Sequence, residues 1–248
     1  NCAATQSVVL GTGTGTNGTT SDLAAAYPSY YGSGRQQYLI LATELSALSL
    51  SAGDINSIGF TINGTLGDPA TLNDYTIKFA NTTSTFLTLA FQNPAFTTVF
   101  GPVNYTPTLS SLNTHVFSSP YNWDGVSNIL IDICFSNLVV GVTAYQNYQT
   151  STGFVSTVYR QVDGSGGAGV CTTATTTNTG SIRPNMVFSR IGSVVNASSN
   201  SIAMTVGSSF PASVSIAQTT GSNPQCAGAS ATFTATPTNG GTTPSYQW

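Results

Sequence analysis

The sequence predicts an all-β protein: a jelly-roll-like β-sandwich followed by a partial Ig-like β-sandwich. Three observations carry this. The 25 Gly and 11 Pro are scattered as punctuation and follow no collagen period. Thr, Val, Ile, Tyr and Phe fill the segments between them, and these side chains fit a pleated, half-buried surface better than a helix. Apolar residues alternate with polar ones at a period of two, most cleanly at Ile58, Phe60 and Ile62 and again at Tyr75, Ile77 and Phe79.

Taken in order, Val8 to Leu10 reads as a strand running into a Gly/Thr alternation that ends at Thr20. The GTGTGT run lacks the strand, GxGxxG and helix context of a phosphate cradle, so it is an edge strand or loop. Tyr27, Tyr30 and Tyr31 cluster in a Pro/Ser/Gly loop, and Gln37 to Leu41 is a strand. Thr43 to Leu50 is the one expected helix, capped by Thr43, with Leu45, Leu48 and Leu50 as its inner face and Gly53 as its stop. After Ile62 the pair Asn63-Gly64 is expected to turn the chain. Phe86 to Val103, broken by Pro94 and Pro102, reads as an edge region.

Thr114 to Phe117 precedes a turn at Tyr121-Asn-Trp-Asp-Gly. Ile129, Ile131, Ile133 and Phe135 form the most apolar face of the chain and so predict a central strand. Further strands are expected at Val139–Tyr145, Gly153–Tyr159 and Met186–Ser189. Composition shifts near Ile191. The expected organisation is a sandwich over 1–192, a strand (Ile202 to Val206) and linker within 193–211, and an incomplete domain over 212–248. In that last part Val214 to Ile216 and Ala231 to Ala235 alternate, and Ser245 to Trp248 opens another strand. Three strands do not close a sandwich, so the natural chain is expected to continue.

Charged residues make up 5% of the 248, against about a quarter in an ordinary domain, with a net charge of −3 and one histidine. Solubility then rests on neutral hydroxyls and amides. Five basic residues (Arg35, Lys78, Arg160, Arg183, Arg190) cannot form the clustered face that a nucleic acid or an anionic membrane requires. No apolar run approaches the roughly 20 residues of a membrane helix. The first six residues lack the basic and apolar regions of a signal peptide, so the chain is expected to be processed or cut from something longer.

Cys2, Cys134, Cys171 and Cys226 lie far apart, without a CxxC, which argues against zinc and for an oxidising compartment. Cys134 and Cys171, both in the strand-rich centre, are the expected disulfide, and the partners of Cys2 and Cys226 stay open. His115 is the only histidine base and has no Ser or Asp motif beside it, so it reads as an ordinary strand-end residue. A glycosidase needs two carboxylates at a set separation; most of the eight acids fall in expected turns and Glu44 falls on the helix. Asp132 stands out, because alternation puts it with Leu130 and Cys134, opposite Ile131 and Ile133. A half-buried carboxylate needs a partner, and Arg35 or Arg183 is expected to supply it. Secreted sandwiches often bind calcium, so a structural Ca²⁺ stays open, although no D-x-D-x-D spacing occurs. Tyr27, Tyr30, Tyr31, Trp123, Tyr145 and Tyr148 are the candidates for stacking on sugar rings; alternatively they close the sandwich or pack between modules.

Several stretches resemble a β-sandwich module of very large secreted surface proteins of Bacteroidota, including gliding-motility-type adhesins exported by the type IX route. They are Gly34 to Ile40 (GRQQYLI), Leu50 to Ile55 (LSAGDI), Asn113 to Phe117 (NTHVF), Trp123 to Phe135 (WDGVSNILIDICF), Gly169 to Cys171 (GVC) and Arg183 to Phe188 (RPNMVF). The tail from Cys226 to Trp248 looks like the opening strands of the Ig/PKD-like repeats of such proteins, and Ser201 to Val206 is similar to a closing strand of one. The resemblance implies a module set between or within such repeats, with Cys2 and Cys226 pairing to neighbours. The family's C-terminal sorting domain is absent from this sequence.

The expected function is a non-enzymatic extracellular adhesin or surface-fibre protein whose partners are neighbouring modules, copies of itself, or surface glycans. With so little charge, long-range repulsion between copies is weak, which suits packing in a filament. The alternative is a carbohydrate-binding module of a secreted enzyme, which predicts an exposed, coplanar aromatic row. A hydrolase would need two carboxylates facing one cleft.

Overall fold

A computed structural model of the chain describes residues 5–17, 25–141, 144–174, 176, 178–191, 211–224 and 226–247. Cys2, the expected strand at Ile202 to Val206, most of the expected linker, and Trp248 lie outside them. Two compact units divide the chain, Asn1–Val195 and Asn196–Trp248.

The described elements of the first unit are β1 (Thr5–Leu10), β2 (Gly15–Thr16), β3 (Ser33–Ile40), α1 (Ala42–Ala47), β4 (Gly53–Leu66), β5 (Leu72–Thr82), β6 (Thr97–Tyr105), β7 (Ser111–Trp123), β8 (Asn128–Ser136), β9 (Ala144–Ser151), β10 (Thr157–Val162), β11 (Asn178–Gly180), β12 (Ile182–Pro184) and β13 (Met186–Ile191). Among the described residues they form two antiparallel sheets. One has seven strands in the order β1-β13-β4-β9-β12, with β7 on β4 and β2 on β9; the other has six, ordered β11-β10-β3-β8-β5-β6. The unit is the all-β sandwich that the alternating pattern predicts.

Between the sheets, Ile58, Phe60 and Ile62 of β4 meet Ile77 and Phe79 of β5, Ile131 and Ile133 of β8, and Met186 and Phe188 of β13. Each such side chain contributes about 1.5–3 kcal/mol relative to staying exposed. β8 is central, as its sequence predicts, flanked by β3 and β5. It is buried on both faces, because a long loop (residues 83–96) folds over its outer side. There Leu39, Leu87, Phe91, Leu130 and Val158 form a second apolar cluster, and Leu87 N–H donates to Val155 O at 2.8 Å. β6, with Pro102, lies at the sheet edge.

Several boundaries differ from expectation. Asn63-Gly64 does not reverse the chain; β4 runs on to Leu66, and a register shift between Ile62 and Gly64 passes it onto β9. The helix starts one residue early and is shorter. Thr43 lies inside it, and the Glu44 carboxylate accepts the Leu41 N–H at 2.9 Å, occupying the capping role expected of Thr43. Gly53 opens β4 instead of ending the helix. Val139 to Gly141 are not in a strand and β9 covers Ala144–Ser151, while β7 runs through Trp123, so the turn falls on Asp124 to Ser127. Asp124 Oδ1 accepts the N–H groups of Val126 (2.9 Å) and Ser127 (2.7 Å) there.

The described part of the second unit is an antiparallel hairpin of β14 (Ser213–Thr220) and β15 (Thr232–Thr238). Ser245 to Gln247 are not in a strand.

Candidate functional site

His115 sits in the middle of β7, not at its end, and is fully buried. Its ring packs among Phe100 (4.6 Å), Tyr105 (4.7 Å), Tyr75 (5.4 Å) and Tyr27 (5.8 Å between centroids), and Nε2 shares a 2.8 Å hydrogen bond with the Tyr27 hydroxyl. Burial pushes its pKa down from 6.5 to about 3. A neutral imidazole sealed among aromatic rings holds the core together and cannot reach a substrate as a base.

The aromatic candidates separate into two groups. Tyr27, Trp123 and Tyr145 are core residues, each at most 1% exposed, and present no ring face to a sugar. Their polar tips are satisfied internally: Trp123 Nε1 donates to Ser127 O at 2.8 Å, and Tyr145 Oη to Ala70 O at 2.7 Å. Tyr30, Tyr31 and Tyr148 are partly exposed. Tyr30 and Tyr31 meet edge to face at 79°, and the Tyr148 hydroxyl donates to Asn63 Oδ1 at 2.8 Å. The six form no coplanar row.

On the outer face of the six-stranded sheet the charged residues come together. Asp132 stands on β8 directly opposite Gln37 of β3 and Lys78 of β5. Arg35 donates to Asp132 Oδ2 through Nε (2.9 Å) and Nη2 (2.7 Å), and Gln37 Nε2 donates to the same oxygen at 2.8 Å. Arg35 Nη1 also donates to Thr173 O, and the Phe91 ring lies 4.4 Å from the Arg35 Cζ. Of the two expected partners of Asp132, the structure selects Arg35. Arg183 is on β12, in the other sheet, and pairs with Glu44 while donating to Leu39 O at 2.6 Å.

Cys134, the register partner of Arg35, forms a disulfide with Cys171 across a Cα–Cα distance of 5.4 Å. Cys171 lies in a short 3-10 turn, Val170–Thr172, so the bond fastens that turn to the C-terminal part of β8. Cys226 is exposed and has no disulfide partner among the described residues.

Between this turn and the 83–96 loop opens a cleft of about 410 Å³. Arg35 and Lys78 line it together with Asn93, Pro94, Phe96, Thr98, Cys171 and Thr172. Lys78 makes no ion pair among the described residues. No local motif announces this site, because its residues come from four separate stretches of chain. Another groove, about 230 Å³, lies on the β14–β15 hairpin beside Val214, Ile216 and Tyr246.

Two further acids brace the structure. Asp163 Oδ1 accepts the N–H groups of Gly32 (2.8 Å) and Gly141 (2.9 Å), and Asp54 accepts from Asn122 Nδ2 at 2.8 Å. Among the described residues no three His, Cys, Asp or Glu side chains converge as metal ligands, and no helix is long and apolar enough to cross a membrane. No protein family, curated protein or solved structure matches this chain.

Proposed function

We propose that the chain is a non-enzymatic module of an extracellular adhesin or surface fibre. The observation that carries this reading is the outer face of the seven-stranded sheet. Paired positions put Ser7, Ser189, Ser57 and Val116 in one row across β1, β13, β4 and β7, and Val9, Val187, Gly59 and Thr114 in the next. Neither row carries a charge, yet Val116 is 68% exposed and Val9 56% exposed. Such a face can meet another module without desolvating ions.

Two further features support the reading. Three groups able to do acid–base chemistry are occupied in holding the fold: His115 in the core, Asp132 with Arg35, and Glu44 with Arg183. The Cys134–Cys171 bond suits an oxidising exterior. Immunogold imaging of intact producing cells, with antibody raised against this chain, tests it. Label repeating along surface filaments supports the reading, and label confined to the cell interior overturns it.

The cleft at Arg35 and Lys78 favours a second reading, a carbohydrate-binding module of a secreted enzyme. That reading expects a monomer bearing one glycan site, attached to a catalytic domain.

A further inference from the structure

We propose that the cleft over Lys78 and Arg35 binds a singly charged acidic sugar, a hexuronate or similar sugar carboxylate. Charge sets the class. Arg35 and Asp132 compensate each other, so Lys78 is the one uncompensated ion among the described residues lining the cleft. One spare positive charge matches a carboxylate better than a phosphate dianion, which would keep half its charge unpaired.

Arg35 adds direction to that charge. Three of its N–H groups are engaged by Asp132 and Thr173, leaving two in a plane fixed by the Phe91 ring. A guanidinium held this way loses little entropy when it takes a ligand oxygen.

The walls fit the body of a sugar. Thr98 and Thr172 offer hydroxyls and Asn93 an amide, all exposed, while Phe96 presents an apolar surface for a C–H face. The volume of about 410 Å³ falls within the roughly 300–1,000 Å³ of small-molecule clefts. One wall is fastened by the Cys134–Cys171 bond, so the site is largely formed before a ligand arrives. This inference gives the adhesive reading a ligand and is separable from it: binding is measured on the chain in solution, and surface location by imaging.

The test titrates the 248-residue chain with D-glucuronate, D-glucose, acetate, inorganic phosphate and an oligouronate, reading amide shifts at Lys78, Thr98 and Thr172. Glucuronate is expected to bind with a Kd on the order of 1 mM, and glucose and acetate at least about tenfold more weakly. Lys78→Met is expected to weaken glucuronate about tenfold, the loss of one charge-assisted contact. Because Lys78 also faces Asp132, Thr98→Val serves as an independent variant, with an expected loss of about threefold. Tighter binding of the oligouronate identifies a polysaccharide as the source, and equal binding identifies the free sugar. Glucose matching glucuronate, phosphate binding more tightly than glucuronate, or both variants binding like the parent would overturn the proposal.

Discussion

Arg35 grips Asp132 by a single oxygen: both Nε and Nη2 reach Oδ2, while Oδ1 is buried with no hydrogen-bond partner among the described residues. The hydrogen bonds to this carboxylate, those of Arg35 and Gln37, therefore all converge on one oxygen. Asp132→Asn should leave the guanidinium buried and unpaired, at a cost of about 3–5 kcal/mol. Replacing both partners with apolar residues, as in Arg35→Met with Asp132→Leu, should cost less than the single change. Urea melts decide it, and a double variant less stable than Asp132→Asn would refute this account of the pair.

The disulfide spans 37 residues of sequence, so reducing it should lower stability by about 3–4 kcal/mol through the freed unfolded chain. Cys171→Ser should melt lower by the same amount and become indifferent to dithiothreitol. A parent protein whose melting is unaffected by reductant would contradict this.

His115 carries a pH signature. Its folded pKa is about 3, below the ordinary 6.5, so between those values the unfolded chain binds the extra proton. The His115 contribution is complete above about pH 6.5 and is lost as pH falls towards 3, at up to about 1.4 kcal/mol per pH unit. His115→Gln keeps an amide for the Tyr27 hydroxyl and should flatten that part of the stability profile. Identical slopes between pH 6 and 4 in variant and parent would show that the imidazole is not held neutral.

Val116 tests the uncharged sheet face. Val116→Lys should change stability by no more than about 0.5 kcal/mol, because the side chain is solvent-exposed. It should nevertheless abolish concentration-dependent association in sedimentation velocity. A parent chain that stays monomeric at every concentration would remove this face as a fibre contact.

Much of the sandwich was legible where periodicity speaks. The run Ile129, Ile131, Ile133 marked β8 as central, and the same alternation isolated Asp132 and Cys134 on its far side. Other features were hidden for physical reasons. Tyr27 sits in a Pro/Ser/Gly loop, and composition alone does not show that this loop is packed inside. Asn63-Gly64 carries a hairpin signal, but tertiary pairing with β9 converts it into a bulge. The cleft gathers Lys78, the Asn93–Thr98 stretch and Cys171 across nearly a hundred positions of chain, a juxtaposition that only the folded sheet creates.

The bond between β8 and the Val170–Thr172 turn makes one rim of the cleft conditional on its redox surroundings. Held among reducing thiols, the molecule would have its strands in order but that rim untethered; oxidation completes the shape. If the proposed ligand binds there, its affinity would report the redox state of the surroundings, with no separate sensor required.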